Sequence, residues 1–179
     1  YKALKSYYDE SISCGRLEPL SSYNEKELLV GLGLLENEHL TNAGYYLFSN
    51  KKPVALKIAT YVTDERINFS DIRRIEDNIY NLIRYANSYI KDKINWRVET
   101  GKETSRIEIP EIAITPTRIE IDNPGEFPIN LNPEMFALSK RKSQPRNKVI
   151  LNTLFKSKDV EIFGSGFKKG YSYCKDANV

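Results

Sequence analysis

The sequence predicts an α+β protein, in which a mixed or antiparallel sheet is covered on one face by helices and preceded by a small helical part. Residues 54–62 place their branched aliphatic side chains at even positions, with the period of two that is typical of a strand. Residues 118–122 also alternate with this period. Residues 72–90 instead carry apolar side chains at steps of three and four, which indicates an amphipathic helix. These three segments form the framework for the other elements.

Residues 1–50 are expected to form the helical N-terminal domain. Ser22 and Glu25 have the spacing of a capping box that begins a helix, and Thr41 or Asn42 is the expected cap of the next one. The two helices suggest a small helix-turn-helix pair. A DNA-reading winged helix is less well supported, because the second helix offers tyrosine and phenylalanine to base edges instead of arginine, glutamine or asparagine.

Residues 51–179 are expected to form the α+β domain. The strands of its sheet are predicted at 54–62, 94–98, 106–109 and 118–122. Pro110 is expected to begin a short helix, because proline fits the first helical position. Asn132 and Asn147 are expected to cap two later helices, and a final helix is predicted at 167–174.

Composition favours a soluble globular protein of the reducing cytoplasm. Apolar residues make up 40% of the 179 residues, charged residues make up 28%, and no apolar run is long enough to span a membrane. Cys14 and Cys174 lack the spacing of a metal site and suggest no disulfide framework. His39 is the only histidine and has no catalytic partner nearby, so no catalytic residue or metal ligand is assigned. The chain lacks an initiator methionine and is expected to start inside a longer protein.

Positive charge is concentrated towards the C-terminus, although the whole chain carries only +3. Residues 140–169 contain nine lysines and arginines against two acidic residues, a local balance of +7 that suits an anionic partner. The candidates for contact with the phosphates of DNA or a nucleotide are Lys140, Arg141, Lys142 and Arg146. A solvated basic face is the alternative, in which Arg146 pairs with Glu134 or Glu161.

A strand that runs into a glycine turn is the most informative stretch of the chain. R-I-E-I-D-N-P-G, residues 118–125, alternates isoleucine with charged residues and is therefore expected to bury its isoleucine face. Pro124 must end the strand because it lacks a donor, and Gly125 accepts a positive φ. Asp122 and Asn123 are left at the strand end, beside N–H groups that can point at a ligand. An ordinary type I or II turn is the alternative interpretation.

Five motifs in a fixed order resemble one family. They are L-T-N-A-G-Y-Y-L-F at 40–48, E-I-P-E-I-A-I at 108–114, R-I-E-I-D-N-P-G at 118–125, S-Q-P-R-N at 143–147 and E-I-F-G-S-G-F-K-K at 161–169. Together they resemble the C-terminal half of bacterial and archaeal transcriptional regulators with an AlbA-like, Schlafen-related ("divergent AAA") DNA-binding domain. Members of this group are often labelled RecG-related ATP-dependent DNA helicases. The resemblance spans nearly the whole chain.

The resemblance implies a GHKL-like ATPase fold for the C-terminal half, with ATP and Mg as the cofactor. In that fold an aspartate at a strand end accepts a hydrogen bond from the adenine amino group, and a second glycine turn, which opens a helix, holds the phosphates. The residues at these positions are Asp122, Asn123, Gly125, Gly164, Ser165, Gly166 and Lys168. The N-P-G sequence departs from the D-x-G-x-G of working GHKL enzymes, because proline removes one N–H.

One part of the family pattern is missing from the chain. After E-I-P-E-I-A-I the family continues into a long amphipathic helix with a metal-binding asparagine, and then into another strand. Here Ile114 is followed at once by Thr115 and a short link to the next strand. About one helix and one strand are therefore expected to be absent between these two residues. Either this protein has lost them or this sequence leaves them out, and the matching flanks on both sides favour the second. The absence of the asparagine weakens the case for ATP hydrolysis.

The sequence therefore predicts the regulatory, nucleotide-binding-like region of a cytoplasmic, DNA-binding transcriptional regulator. DNA is the expected partner of the full-length protein, and no membrane contact is expected. An ATP-dependent, helicase-like enzyme is the alternative, although the chain has no Walker A pattern. A non-catalytic dimerisation module, which would form a homo-oligomer, is the third interpretation.

Overall fold

The structure is a computed structural model of the chain, and it describes residues 2–93, 110–123, 125, 132–138, 144–160 and 165–176. The chain forms two compact units, each assembled from separate parts of the sequence. The first unit comprises residues 1–54, 77–87 and 143–164, and the second comprises residues 55–76, 88–142 and 165–179. A domain boundary near residue 50 stays a prediction.

The described residues form seven helices and six strands. In order they are α1 (Lys2–Ser13), α2 (Glu25–Gly31), β1 (Leu35–Glu36), β2 (His39–Leu40), α3 (Asn42–Phe48), β3 (Val54–Tyr61), β4 (Phe69–Asp77), α4 (Ile79–Lys93), β5 (Glu111–Ile114), β6 (Ile119–Asp122), α5 (Pro133–Ala137), α6 (Lys148–Lys156) and α7 (Ser165–Asp176). Helix α4 begins in the first unit and ends in the second.

Aromatic rings form the centre of the first unit. The ring of Tyr7 in α1 meets that of Phe48 in α3 edge-on, with centroids 5.1 Å apart, and that of Tyr80 in α4 at 5.9 Å. All three side chains are almost fully buried, and Leu154 of α6 belongs to the same core. Burial raises the pKa of the Tyr7 hydroxyl. Residues distant in sequence therefore build one apolar core, in which each aromatic ring removes a large area from water.

Side-chain caps begin most of the helices. Asn24 caps α2, because its side chain accepts hydrogen bonds from the N–H groups of Lys26 and Glu27. The prediction that Ser22 caps this helix is therefore wrong. Asn24 directly precedes the first helical residue, where its side chain can reach the unpaired N–H groups, whereas Ser22 lies two residues further away. The predicted caps of the helices α3, α5 and α6 are confirmed as Thr41, Asn132 and Asn147.

A mixed four-stranded sheet forms the centre of the second unit, with the strand order β4-β3-β5-β6. Strand β5 pairs with β3 in parallel, which places Ile112 beside Ile58, and with β6 in antiparallel, which places it opposite Ile121. The predicted α+β class is confirmed, and this architecture is consistent with a GHKL-like fold. The strands predicted at 94–98 and 106–109 lie outside the described residues.

The long helix predicted at residues 72–90 is wrong in its first part. Residues up to Asp77 form β4 and pair with β3, and α4 begins only at Ile79. Asn78 sets this boundary, because its side chain accepts a hydrogen bond from the N–H of Asn81, as an N-cap does. Within the predicted helix the apolar residues before Asn78 are only two, Ile72 and Ile75, and a spacing of three between two residues cannot distinguish a strand from a helix.

The helix predicted at Pro110 is also wrong. Residues Glu111–Ile114 form β5, and all four are buried because the strand lies between β3 and β6. The carbonyl of Pro110 accepts a hydrogen bond from the N–H of Lys57 in β3. Proline at the start of a segment is compatible with a strand as well as a helix, because only its donor is missing.

Candidate functional site

Strand β6 ends at Asp122, the residue expected to accept a hydrogen bond from adenine. The strand pairs with β5 on one side and lies at the edge of the sheet that the described residues form. The Asp122 side chain is half-buried, and Asn123 and Gly125 after it are exposed. Within the described parts of the chain, the Asp122 carboxylate forms no hydrogen bond or ion pair. Both of its oxygens can therefore accept hydrogen bonds from a ligand.

Strand β6 turns its charged face inwards, so the prediction that its isoleucine face is buried is wrong for Ile121. Ile121 is 66% exposed, whereas the Glu120 side chain is only 17% exposed. Two guanidinium groups compensate for the burial of this carboxylate, because Arg118 donates a hydrogen bond to Glu120 and Arg66 forms an ion pair with it. Since alternate residues share a face, Asp122 lies on the same face of the strand as Glu120.

A tight hairpin connects β5 to β6. The N–H of Thr115 donates to the carbonyl of Arg118 over 2.9 Å, and Thr117 donates to the side chain of Asp64 over 3.3 Å. Hydrogen bonds from Thr115 and Thr117 lower the pKa of the Asp64 carboxyl. The expectation that residues are absent between Ile114 and Thr115 stays a prediction.

The second predicted glycine turn lies at the start of α7. Ser165 and Gly166 are the first two residues of this helix, which thus begins two residues before the predicted start at 167, and Gly164 lies outside the described residues. A Cβ at Gly166 would meet no atom within 4 Å, so a ligand can approach the backbone here. Lys168 is exposed in the first turn. The N–H groups at a helix start favour anions.

The structure distributes the predicted site residues over both units. Asp122, Gly125, Gly166 and Lys168 belong to the second unit, in which α5 packs against α7. Arg146 belongs to the first unit and is exposed just before α6. Its contact with phosphates, its pairing with a glutamate and the convergence of the two glycine turns on one hollow all stay predictions. The residues of the basic loop that lie outside the described parts are Lys140, Arg141 and Lys142.

A polar network between α4 and the sheet was missed by sequence reasoning. The Tyr89 hydroxyl donates a hydrogen bond to Asp71 of β4 over 2.9 Å and lies 2.9 Å from the hydroxyl of Thr60 in β3. The hydrogen bond from Tyr89 lowers the pKa of the Asp71 carboxyl, and burial raises the pKa of Tyr89. Tyr89 therefore holds the end of α4 on the sheet. The apolar residues of β4 recur at every third position, so no alternation of polar and apolar residues marks this strand in the sequence.

A second feature that the sequence did not reveal is a groove between α1 and α4 in the first unit. Two of its three cations are neutralised, because Lys5 pairs with Asp9 and Arg84 pairs with Glu10; the third cation is Lys2. Arg84 also stacks on the ring of Tyr80, with its guanidinium carbon 4.5 Å from the ring centroid. The side chains that line the groove therefore carry a net charge of only +1, which attracts an ionic ligand weakly.

The described residues form neither a metal-binding cluster nor a membrane-spanning helix. No group of three or more histidine, cysteine, aspartate or glutamate side chains in these residues is placed to hold a metal ion. None of the helices they form is both long enough and apolar enough to cross a membrane.

Comparison with known proteins relates the end of the chain to one family. Among solved structures, the chain is similar to the DIP2311 protein from Corynebacterium diphtheriae, with 16% identity and a TM-score of 0.68. The alignment covers 92% of this chain but 31% of that chain, and at this identity it shows a shared fold alone. No curated protein matches the chain. Residues 108–179, which are less than half of the chain, match the model of the family described as "Putative ATP-dependent DNA helicase recG C-terminal", so this part of the chain is similar to a RecG-related, ATPase-like region.

Proposed function

We propose that the chain is the nucleotide-binding, regulatory region of a DNA-binding transcriptional regulator, with a GHKL-like site at the end of β6. Asp122 carries the proposal. It lies within residues 108–179, which match the RecG-related family, and it ends an edge strand with a half-buried carboxylate that has no partner among the described residues. A carboxylate in this position suits the exocyclic amino group of adenine.

The hydrogen-bond donors at the start of α7 suit the phosphate groups of an adenine nucleotide. Unpaired N–H groups at the helix start and the ammonium of Lys168 both favour phosphate oxygens. ATP bound with Mg would supply the charge and the transferable phosphoryl group. The asparagine expected to hold Mg belongs to the segment that is expected to be missing after Ile114, so the proposal assigns binding and not hydrolysis.

A segment inserted between Ile114 and Thr115 would lie close to β6. Ile121 of this strand is 66% exposed, which leaves an apolar side chain that an added helix could cover. A helix inserted between Ile114 and Thr115 would provide that cover, beside the strand that ends at Asp122. The proposed nucleotide site is then bounded by residues that this sequence lacks.

Thermal unfolding of the purified protein with and without Mg-ATP tests the proposal. A ligand at 100 times its Kd stabilises the folded state by about 2.7 kcal/mol, which corresponds to a Tm increase of roughly 5–11 °C for a chain of this size. Asp122→Ala should abolish the increase. Asp92→Ala, which changes an exposed aspartate in the last turn of α4, should preserve it. If wild type shows no increase, or if Asp122→Ala retains it, the site is misplaced.

Two other functions make different predictions in the same experiment. A helicase-like enzyme, suggested by the description of the matching family, should release phosphate from ATP in the presence of DNA. A dimerisation module should have the mass of a dimer in light scattering, and its Tm should not change with Mg-ATP.

DNA contact through Arg146 and the lysines of the basic loop belongs to the proposal, and the local charge of +7 supports it.

A further inference from the structure

Helix α7 carries two exposed tyrosines and two lysines, Lys169 and Lys175, that a nucleotide site at its first turn does not use. Every described position of this helix is exposed, and the tyrosines are unusually so, with Tyr171 53% exposed and Tyr173 70% exposed. Two large aromatic rings on one solvent-facing helix provide flat surfaces on which another molecule can stack.

The spacing of these residues places each ring next to cations. Tyr171 lies three residues after Lys168 and four residues before Lys175, so all three share one side of the helix. The two lysines are separated along the axis by about 10 Å, since each residue advances a helix by 1.5 Å. Tyr173 follows Lys169 by four residues and forms a second pair of this kind. A ring flanked by cations suits a ligand that alternates flat and anionic groups.

The net positive charge of α7 indicates that its ligand is a polyanion. The helix contains three lysines and only one carboxylate, that of Asp176, which accepts a hydrogen bond from Ser172 over 3.4 Å. Lysine contacts phosphates as a point charge and cannot read base edges in the bidentate way of arginine, asparagine or glutamine. The helix therefore suits a backbone of phosphates without regard to sequence.

The tyrosines distinguish between single strands and duplexes. A tyrosine ring stacks on the face of a base, and this face is accessible in a single strand but covered by neighbouring bases in a duplex. We propose that α7 binds single-stranded nucleic acid without sequence preference, through a base stacked on Tyr171 and phosphates on Lys168 and Lys175, which share its side of the helix. The proposal rests on the proposed function only in expecting a nucleic-acid partner, and it does not require the nucleotide site.

Fluorescence anisotropy with a labelled oligothymidine of about 15 nucleotides tests the stacking contact, since binding sites of this class cover roughly 4–16 nucleotides. Tyr171→Ala should weaken binding by roughly 5- to 100-fold, which is the effect expected when one stacking contact with a base is lost. Tyr171→Phe retains the ring and should bind as wild type, whereas Tyr171→Leu should behave like the alanine variant. The control is Tyr46→Ala, because Tyr46 of α3 is 42% exposed but belongs to the other unit.

The salt dependence tests the phosphate contacts. Each contact with a single strand contributes about −0.7 to the slope of log K against log salt concentration. Lys175→Ala should therefore make the slope shallower by about 0.7. Lys91→Ala removes an exposed lysine in the last turn of α4 and should leave the slope unchanged.

Competitors separate this proposal from other uses of the surface. An unlabelled single strand should displace the probe, while a duplex or polyglutamate of equal charge should displace it weakly. Equal displacement by polyglutamate, or unchanged affinity in Tyr171→Ala, would overturn the proposal. Asp122→Ala should lose any response to Mg-ATP but keep oligonucleotide binding, so failure of the nucleotide site and failure of the α7 site are measured separately.

Discussion

Helix α3 passes so close to Leu34 that position 44 has no space for a side chain. A Cβ at Gly44 would lie 2.3 Å from the carbonyl oxygen of Leu34 and 3.1 Å from its Cβ. That carbonyl also accepts a hydrogen bond of 2.9 Å from the N–H of Thr41, and the Leu34 side chain is fully buried. The backbone of Leu34 therefore cannot move away without loss of a hydrogen bond and of core packing. We expect Gly44→Ala to destabilise the protein.

Three contributions set the size of this effect. Overpacking typically costs about 1–3 kcal/mol, and a weakened hydrogen bond adds about 1 kcal/mol. The better helix propensity of alanine offsets up to about 1 kcal/mol. The net loss in the free energy of unfolding is then about 2 kcal/mol, which lowers the Tm of a chain of this size by roughly 4–8 °C.

Thermal unfolding followed by circular dichroism measures this change, with Gly170→Ala as the matched control. Gly170 lies inside α7, and a Cβ there would meet no atom within 4 Å. Its replacement by alanine should leave the Tm unchanged or raise it, because alanine favours the helix. If Gly44→Ala unfolds at or above the wild-type temperature, the close approach of α3 to Leu34 is refuted.

Two further predictions concern a helix cap and an acidic side chain. Asn24→Ala should lower the free energy of unfolding by about 1 kcal/mol, while Ser22→Ala should change it little, and equal losses in urea denaturation would contradict the assignment of the cap. Tyr89→Phe should raise the pKa of Asp71 towards its ordinary value, because it removes the hydrogen bond that lowers it. Since the folded pKa is depressed, the contribution of Asp71 to stability is present above about pH 4, its unfolded value, and is lost as the pH falls through the folded value. Carboxyl titration by NMR checks this, and an unchanged Asp71 titration in the variant would contradict it.

Local signals in the sequence determined several elements of this protein. The caps Thr41, Asn132 and Asn147 were predictable because a cap joins a side chain to an N–H group only two or three residues away. The end of β6 at Asp122 was predictable for a similar reason, since proline and glycine limit the backbone wherever they occur. The placement of Asp122 at a strand end, on which the candidate site depends, therefore needed no tertiary information.

The tertiary structure alone decided which residues of these elements are buried and where ambiguous patterns change from strand to helix. The spacing of the apolar residues before Asn78 fits both structures, and pairing of β4 with β3 selects the strand. Ile121 is exposed and Glu120 is half-buried, because Arg66, from the connection between β3 and β4, covers the charged face of β6. The tyrosines of α7 were visible in the sequence, but their exposure was not. Burial depends on contacts between residues far apart in the chain, and these contacts cannot be predicted from short-range sequence patterns.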